Sequence, residues 1–338
     1  MSLKDYWYIA AESHEIKNKP LAISTMGEHM VLFRSEDGKV AALEDRCSHR
    51  NMALSAGKVS GGCVTCPYHG WQFDAAGRCV QIPSLGSSKR LPNHGVRAYP
   101  VRELDGYVWV YPGESIPESA PFHFPNYAAD GWTSFRMRTR FQASVESCLE
   151  NFLDCPHTVY VHKGWFRNHD TRELSATVRS SLESVEVEFQ GEPITKSLVS
   201  RLFFPKGKSL SHLDRFLMPN ISRVDYDFGP GRHFIITSQC TPVGEYETEV
   251  HTIITYSFGR IGPLVRVLLE PVCRKIIRQD VEILAAQTEQ IRKFGSAQFH
   301  HVDTDLLGLK IQSMRRRAEQ PEAPAASSVA DREITICF

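Results

Sequence analysis

The chain has 338 residues and a mass of 38.2 kDa, enough for one large or two ordinary domains with their own cores. Hydrophobic residues make up 42% and charged residues 23%, a balance that suits a folded globular protein and excludes a disordered chain. Thirty-nine basic and thirty-nine acidic residues cancel, so no global field steers the chain toward nucleic acid or an anionic membrane. The opening MSLKDYWYIA lacks the apolar core of a signal peptide, and no uncharged apolar run reaches ~18 residues. Neither secretion nor membrane insertion is expected. Nine scattered cysteines fit a reducing cytoplasm, with free thiols or a metal site, better than a disulfide framework.

No internal repeat is visible, which removes solenoids and propellers. The first third reads as short strands and tight turns. Val31-Leu32-Phe33 and Val40-Ala41-Ala42-Leu43 flank Ser35-Glu36-Asp37-Gly38, a hairpin pattern. Val64 to Phe73 and Cys79 to Ile82 flank a second turn, and Tyr107 to Tyr111 is an apolar strand closed by Pro112-Gly113. A Pro/Ser-rich loop, Glu114 to Asn126, carries the expected domain boundary, giving segments 1–115, 116–317 and a flexible tail, 318–338.

The second segment changes character. A strand near Phe135–Phe141 leads into a helical pattern from Ser144 to Asp154. Strand composition returns near Val185–Phe189, Thr195–Phe204, Ile221–Phe228, His233–Gln239 and Glu249–Phe258. A long helix is expected to start at Pro271, a good first-turn residue, and to stop at Gly295. The fold class is therefore α+β.

Cys47-Ser48-His49, a gap of sixteen residues, and Cys66-Pro67-Tyr68-His69 form the strongest motif. Two thiolates and two imidazoles can hold a tetrahedral zinc or a [2Fe–2S] cluster. Zinc modules usually place two cysteines before two histidines, whereas here the order alternates. Alternation suits a binuclear cluster, with the cysteines on one iron and the histidines on the other. The segment resembles the Rieske [2Fe–2S] motif. Rieske proteins of cytochrome complexes carry two further cysteines that form a disulfide; Met52 and Tyr68 stand there. The resemblance is therefore to the ferredoxin and oxygenase type.

Glu150 to His162 supplies a second constellation, in which His157 and His162 lie five apart and Asp154 one helical turn before His157. Two imidazoles and one carboxylate make the facial triad of non-haem Fe(II) oxygenases. The stretch resembles the N-x-x-D-x-x-H-x₄-H signature of Rieske non-haem iron oxygenases, and the order of elements agrees over residues 1 to about 315. The resemblance implies that His157 and His162 bind the mononuclear iron. It makes Asp154 a carboxylate bridging His157 to the cluster ligand His69 of the partner subunit, which carries electrons between chains.

The third ligand is sought among the late acids. In the helix expected from Pro271, Cys273, Ile276, Ile277, Ile283, Leu284 and Ile291 make an apolar face. Asp280 falls on that face, whereas Glu282 falls between its positions. A carboxylate in an apolar stripe is expensive unless a proton, a base or a metal accompanies it. The family's third ligand also comes from an acid in a stretch resembling Arg278-Gln279-Asp280, so Asp280 is preferred to Glu282, Asp303 and Asp305.

Asn220 and His251 lie in the strand-rich segment expected to wall a substrate pocket and are candidates for orienting substrate. The other histidines, His212 included, read as surface or packed groups. Arg315-Arg316-Arg317 reads as a solvated helix end, with docking of an acidic electron donor as the sharper alternative. The resemblance implies an all-β Rieske domain followed by a helix-grip catalytic domain, an antiparallel sheet packed by a long helix. It implies a terminal oxygenase that uses O₂ and electrons from NAD(P)H, delivered by a flavin reductase, a ferredoxin or both, to hydroxylate or oxidatively demethylate a small, mostly apolar cyclic substrate. A homotrimer closes the intersubunit bridge. Ring dihydroxylation, and a Rieske electron-transfer protein without oxygenase chemistry, are the alternatives.

Overall fold

The computed structural model describes residues 2–86, 91, 93–163, 165, 173–191, 210–259, 261–305, 307–320 and 332–337. The chain divides into two compact units, residues 2–123 and 124–338. The boundary lies eight residues beyond the expected one, at the far end of the same Pro/Ser-rich loop.

The first unit is built of antiparallel strands. A three-stranded sheet joins β1 (Tyr8–Glu12), β11 (Tyr107–Val110) and β10 (Val101–Leu104). A second joins β2 (Leu21–Thr25), β3 (Glu28–Arg34), β4 (Val40–Glu44) and β9 (Ala98–Tyr99). The β3–β4 hairpin is the expected one, with Gly38 in the left-handed region at φ 79°. A third sheet of β5 (Lys58–Ser60), β6 (Cys63–Thr65), β7 (Gln72–Phe73) and β8 (Cys79–Gln81) carries the second Cys-His loop between β6 and β7.

Among the described residues, the second unit is one antiparallel sheet of eight strands and its helices. Sheet order is β12 (Thr133–Phe141), β18 (Glu247–Ser257), β17 (His233–Gly244), β16 (Ile221–Asp227), β15 (Ser211–Leu217), β14 (Ser184–Gln190), β13 (Glu173–Ser180) and β19 (Arg332–Cys337). Helix α1 (Val145–Leu153) starts at Ser144, whose hydroxyl accepts from the Ser147 N–H at 3.2 Å, a standard N-cap. Short α2 (His157–Tyr160) follows, then α3 (Gly262–Phe294) and α4 (Gly308–Glu319).

Three expectations are corrected here. The long helix does not start at Pro271: Pro263 occupies the first turn, and Pro271 lies inside the helix, where it removes one i→i−4 bond without ending it. The end at Gly295, in the left-handed region at φ 77°, is as expected. The chain's last residues are not a free tip, since β19 pairs antiparallel with β13 and buries Ile336 in the core. Arg315 is not a solvated helix end, for its guanidinium is buried, donating to Glu146 at 2.7 Å and to the Pro219 carbonyl at 2.6 Å. Arg316 and Arg317 are exposed. The expected strand at Thr195–Phe204 and the tail residues 321–331 lie outside the described residues.

Candidate metal centres

The two Cys-His loops of the first unit share one backbone plan. In each, the cysteine N–H bonds a carbonyl five residues on, Cys47 to Met52 and Cys66 to Trp71, both at 2.8 Å. In each, the N–H four residues on returns to the cysteine carbonyl, from Asn51 at 2.9 Å and from Gly70 at 3.1 Å. The returning residue is left-handed in both, with φ 59° at Asn51 and 71° at Gly70. Two matching loops thus present Cys-x-His and Cys-x₂-His side by side. The His49 and His69 rings meet edge to face with centroids 4.5 Å apart, and Trp71 stacks on His49 at 4.6 Å.

Both cysteines are buried. Burial, with the adjacent Cys66 thiol adding to it, pushes the Cys47 thiol up to about 11. Burial and then the neighbouring His69 and Arg50 charges hold His49 below its usual range. Nδ1 of His49 is buried without a hydrogen-bond partner, a costly state for a polar atom unless a ligand occupies it. Two buried cysteine sulfurs beside an imidazole nitrogen without a partner fit a group that takes thiolates and Nδ1 as ligands.

The second unit brings His157, His162 and Asp280 together, although they come from α2, the turn after it and the middle of α3. Nε2 of His162 lies 3.1 Å and Nε2 of His157 3.6 Å from the same atom, Oδ1 of Asp280. That oxygen is buried and makes no hydrogen bond of acceptable geometry, so the donor set suits a cation. The other ring nitrogens are occupied: Nδ1 of His162 faces Oε1 of Gln279 at 3.0 Å, and Nδ1 of His157 bonds the Asp154 carbonyl. These contacts set the tautomer that leaves both Nε2 atoms for a metal.

Burial alone would lower the pKa of His157, but the Asp154 and Asp280 carboxylates outweigh it and lift the group to about 9. Burial raises the Asp280 carboxyl, and the two imidazoles reverse that and hold it below the usual range. The acids set against Asp280 sit elsewhere. Glu282 is exposed, Asp303 pairs with Arg332 at 2.9 Å, and Asp305 pairs with His301 at 3.6 Å.

Asp154 stands where expected, for a different reason. Helix α1 stops before it, and its Oδ2 accepts from the His157 N–H at 3.3 Å across the turn between α1 and α2 rather than as a neighbour on one continuous helix. Part of its carboxylate remains exposed.

Next to the triad a cavity of about 830 Å³, partly open to solvent, runs between the sheet and α3. Asn151 and Phe152 of α1, Ser222, Ser238 and Thr252 of the sheet, and Ile276 of α3 are among its walls. Neither Asn220 nor His251 lines it. The Asn220 amide bonds the Cys240 carbonyl and holds a strand end, and His251 is buried at 1% exposure and absent from the cavity wall. Reading the strand-rich segment located the pocket's sheet, but not which face of each strand the pocket sees.

Two groups escaped sequence reasoning. Gln279 gives no signal of its own beside Asp280. Cys155, His212 and Asp214 form a buried cluster in which Asp214 takes Nε2 of His212 at 2.9 Å and the Cys155 thiol at 3.3 Å. Each carboxylate oxygen has its donor, so the cluster is complete without an ion. Its signal was His-x-Asp on a strand, which puts both side chains on one face.

Fold and site together define a two-unit protein with paired Cys-His loops in one unit and a clustered His-His-Asp triad in the other. Residues 6–100 match the Rieske [2Fe-2S] domain, and residues 141–320 match the vanillate O-demethylase oxygenase C-terminal domain. The chain belongs to the family defined by that pair of domains. Among curated proteins it is similar to 4beta-methylsterol monooxygenase of Methylococcus capsulatus, 33% identical over 199 residues, covering 57% of this chain and 54% of that one. It is likewise similar to the oxygenase component of dicamba O-demethylase of Stenotrophomonas maltophilia, 34% identical over 164 residues and 48% of each chain. The chain thus spans about half the length of the curated relatives it matches. In fold it resembles the crystal structure of dicamba monooxygenase bound to dicamba, with a TM-score of 0.80, 23% identity, and coverage of 95% of this chain and 98% of that one.

Proposed function

We propose that the protein is the terminal oxygenase of a Rieske-type system, inserting one oxygen atom of O₂ into a C–H bond of a small, mostly apolar cyclic substrate. The observation that carries this reading is the convergence of Nε2 of His157 and Nε2 of His162 on Oδ1 of Asp280 beside the cavity. In balanced form, substrate, O₂, two electrons and two protons give hydroxylated substrate and water. Where the hydroxylated carbon is a methyl on oxygen or nitrogen, the product then loses formaldehyde, which is demethylation.

A [2Fe–2S] cluster held by Cys47, His49, Cys66 and His69 would supply one-electron storage, and a ferrous ion held by His157, His162 and Asp280 would supply O₂ reduction. The chain's own residues do the rest. Gln279 and the Asp154 carbonyl hold the two imidazoles in the ligating tautomer. Ile276, Ile277 and Phe152 keep an apolar wall against the substrate.

The half-exposed carboxylate of Asp154, in contact with His157, supports its role as the bridge to His69 of the partner subunit, and hence a homotrimer. Electrons would come from NAD(P)H through a flavin reductase, with or without a ferredoxin. The names of both relatives, a monooxygenase and an O-demethylase oxygenase component, support monooxygenation over dihydroxylation. Nine free cysteines support a reducing, cytoplasmic setting; no helix among the described residues is long and apolar enough to cross a membrane.

Electron paramagnetic resonance on anaerobic protein tests the reading. The dithionite-reduced sample should give a Rieske signal, and nitric oxide should add a high-spin ferrous–nitrosyl signal. A Rieske signal alone, after reconstitution with Fe(II), would mean that the chain only moves electrons. Zinc in place of iron, with no signal, would overturn both centres.

A further inference from the structure

Three hydroxyl side chains stand in one straight line across the floor of the cavity. Ser222 on β16 is directly opposite Ser238 on β17, and Ser238 is directly opposite Thr252 on β18. All three line the cavity and are nearly sealed from bulk water, at 3%, 4% and 3% exposure. The next row on the same face is Val224, Ile236 and Ile254, paired in the same way and apolar throughout. Strand register therefore sorts the floor into one polar row and one apolar row. Ile276 and Ile277 of α3 extend the apolar surface overhead.

Placing three hydroxyls side by side in a core is expensive unless their hydrogen bonds are made. Within the row, Ser238 and Thr252 bond each other at 2.8 Å. That contact consumes one of the three O–H donors, and the Ser222 hydroxyl makes no hydrogen bond among the described residues. Two donors and several lone pairs remain for whatever fills the space. The charged groups on the described wall are His157, His162 and Asp280, which the iron would engage. The row itself is neutral, able to donate to a carbonyl or to exchange hydrogen bonds with a hydroxyl, and it offers no fixed charge to compensate a desolvated anion.

We propose that the Ser222–Ser238–Thr252 row is the polar anchor of the cavity, and that the ligand it selects is an uncharged cyclic molecule bearing a single ketone or hydroxyl oxygen. The oxygen sits on the row and the hydrocarbon body lies over Val224, Ile236 and Ile254. This assignment rests on the reading of the cavity as the substrate site and names the class of substrate it takes.

Three ligands on one bicyclic skeleton separate the possibilities: tetralin, 2-tetralone and tetralin-2-carboxylate. Equilibrium dialysis against the iron-loaded full-length protein should rank 2-tetralone above tetralin, with the carboxylate weakest. Ser222→Ala and Thr252→Val should each weaken 2-tetralone roughly 3- to 10-fold, the loss of about one neutral hydrogen bond, and leave tetralin unchanged. Equal binding of tetralin and 2-tetralone, tightest binding of the carboxylate, no binding of 2-tetralone, or variants that weaken all ligands alike would each overturn the proposal. The ranking in the unaltered protein decides the matter even if a variant fails to fold. The ferrous–nitrosyl signal, recorded on the same samples, keeps the two readings apart. Discrimination without that signal sinks the iron triad and leaves the anchor standing; the signal without discrimination sinks the anchor alone.

Discussion

Oε1 of Gln279 lies 3.0 Å from Nδ1 of His162, so the helix that carries Asp280 also orients the imidazole facing it. Nδ1 donates and the amide oxygen accepts, which leaves Nε2 bare toward Oδ1 of the adjacent Asp280 at 3.1 Å. Consecutive residues of α3 thus act on the same imidazole, one from each of its nitrogens. Replacing Gln279 with Leu should free that ring to rotate and to change tautomer. We expect iron affinity of the second site to fall roughly 10- to 100-fold, the usual effect of losing such a support. Gln279→Glu, which keeps an acceptor at the same place, should retain most of it. Titration of apoprotein with Fe(II), followed by the nitrosyl signal, measures the difference. Unaltered affinity in Gln279→Leu would show that packing alone holds the ring.

Asp280→Ala should remove the second iron while sparing the first centre. The two histidines alone offer an incomplete set, and the change leaves buried imidazoles facing an apolar gap. Iron analysis should fall by about one atom per chain relative to the unaltered protein, with the Rieske absorption and reduced-state signal unchanged. Simultaneous loss of both centres would mean that Asp280 supports the fold more widely than its place in α3 indicates.

What was legible in the sequence follows from how local each signal is. Cys47, His49, Cys66 and His69 lie in two short loops whose spacing marks them as candidates, and His157 and His162 share one stretch that gains its meaning from lying downstream of that motif. Asp280 lies far along the chain, yet it interrupts an apolar helical stripe, and that conflict between charge and burial marks it. Strand β15 shows the opposite case. Its buried face carries His212, Asp214 and Phe216, whereas Leu213 and Leu217 sit on the less buried one. Alternation there reads inside out, because the polar pair is paid for by contacts from Cys155 and two flanking rings that no local pattern announces. The start of α3 was misplaced because two prolines satisfy the same first-turn rule, and only packing of the first turns against β12 chooses Pro263. The pairing of β19 with β13 is hidden by the long chain separation between them.

The three consecutive arginines of α4 should separate cleanly in stability. Arg315 is buried and holds both Glu146 and the Pro219 carbonyl, so Arg315→Ala leaves a carboxylate and a carbonyl without their donor. Loss of the buried bond to the Pro219 carbonyl, together with a contact to a Glu146 that water partly screens, predicts destabilisation of about 1–3 kcal/mol. Arg316→Ala and Arg317→Ala, at exposed positions, should stay within about 0.5 kcal/mol. Urea denaturation of the three variants gives the comparison. Equal effects at all three would contradict the burial of Arg315.

His251 should make the second unit sensitive to mild acid. It lies between Arg138 of β12 and Gln239 of β17 in the sheet register, and Glu249, two residues before it, takes the Arg138 guanidinium at 2.6 Å. Burial, and after it the Arg138 charge, pushes its pKa down from 6.5 to about 3. The folded chain therefore keeps this ring neutral where the unfolded chain protonates it. Above pH ~6.5 neither state binds the proton and the group has no effect on stability. As pH falls below that, the unfolded state gains protons first, and stability declines until the folded ring titrates near pH 3. By pH 5 the deficit from this one group is about 2 kcal/mol. His251→Gln, which cannot titrate, should lose correspondingly less stability than the unaltered protein between pH 7.5 and pH 5, as read by denaturation midpoints at the two pH values. Parallel losses in both proteins would place the acid sensitivity elsewhere and would mean that the ring is not held neutral in the fold.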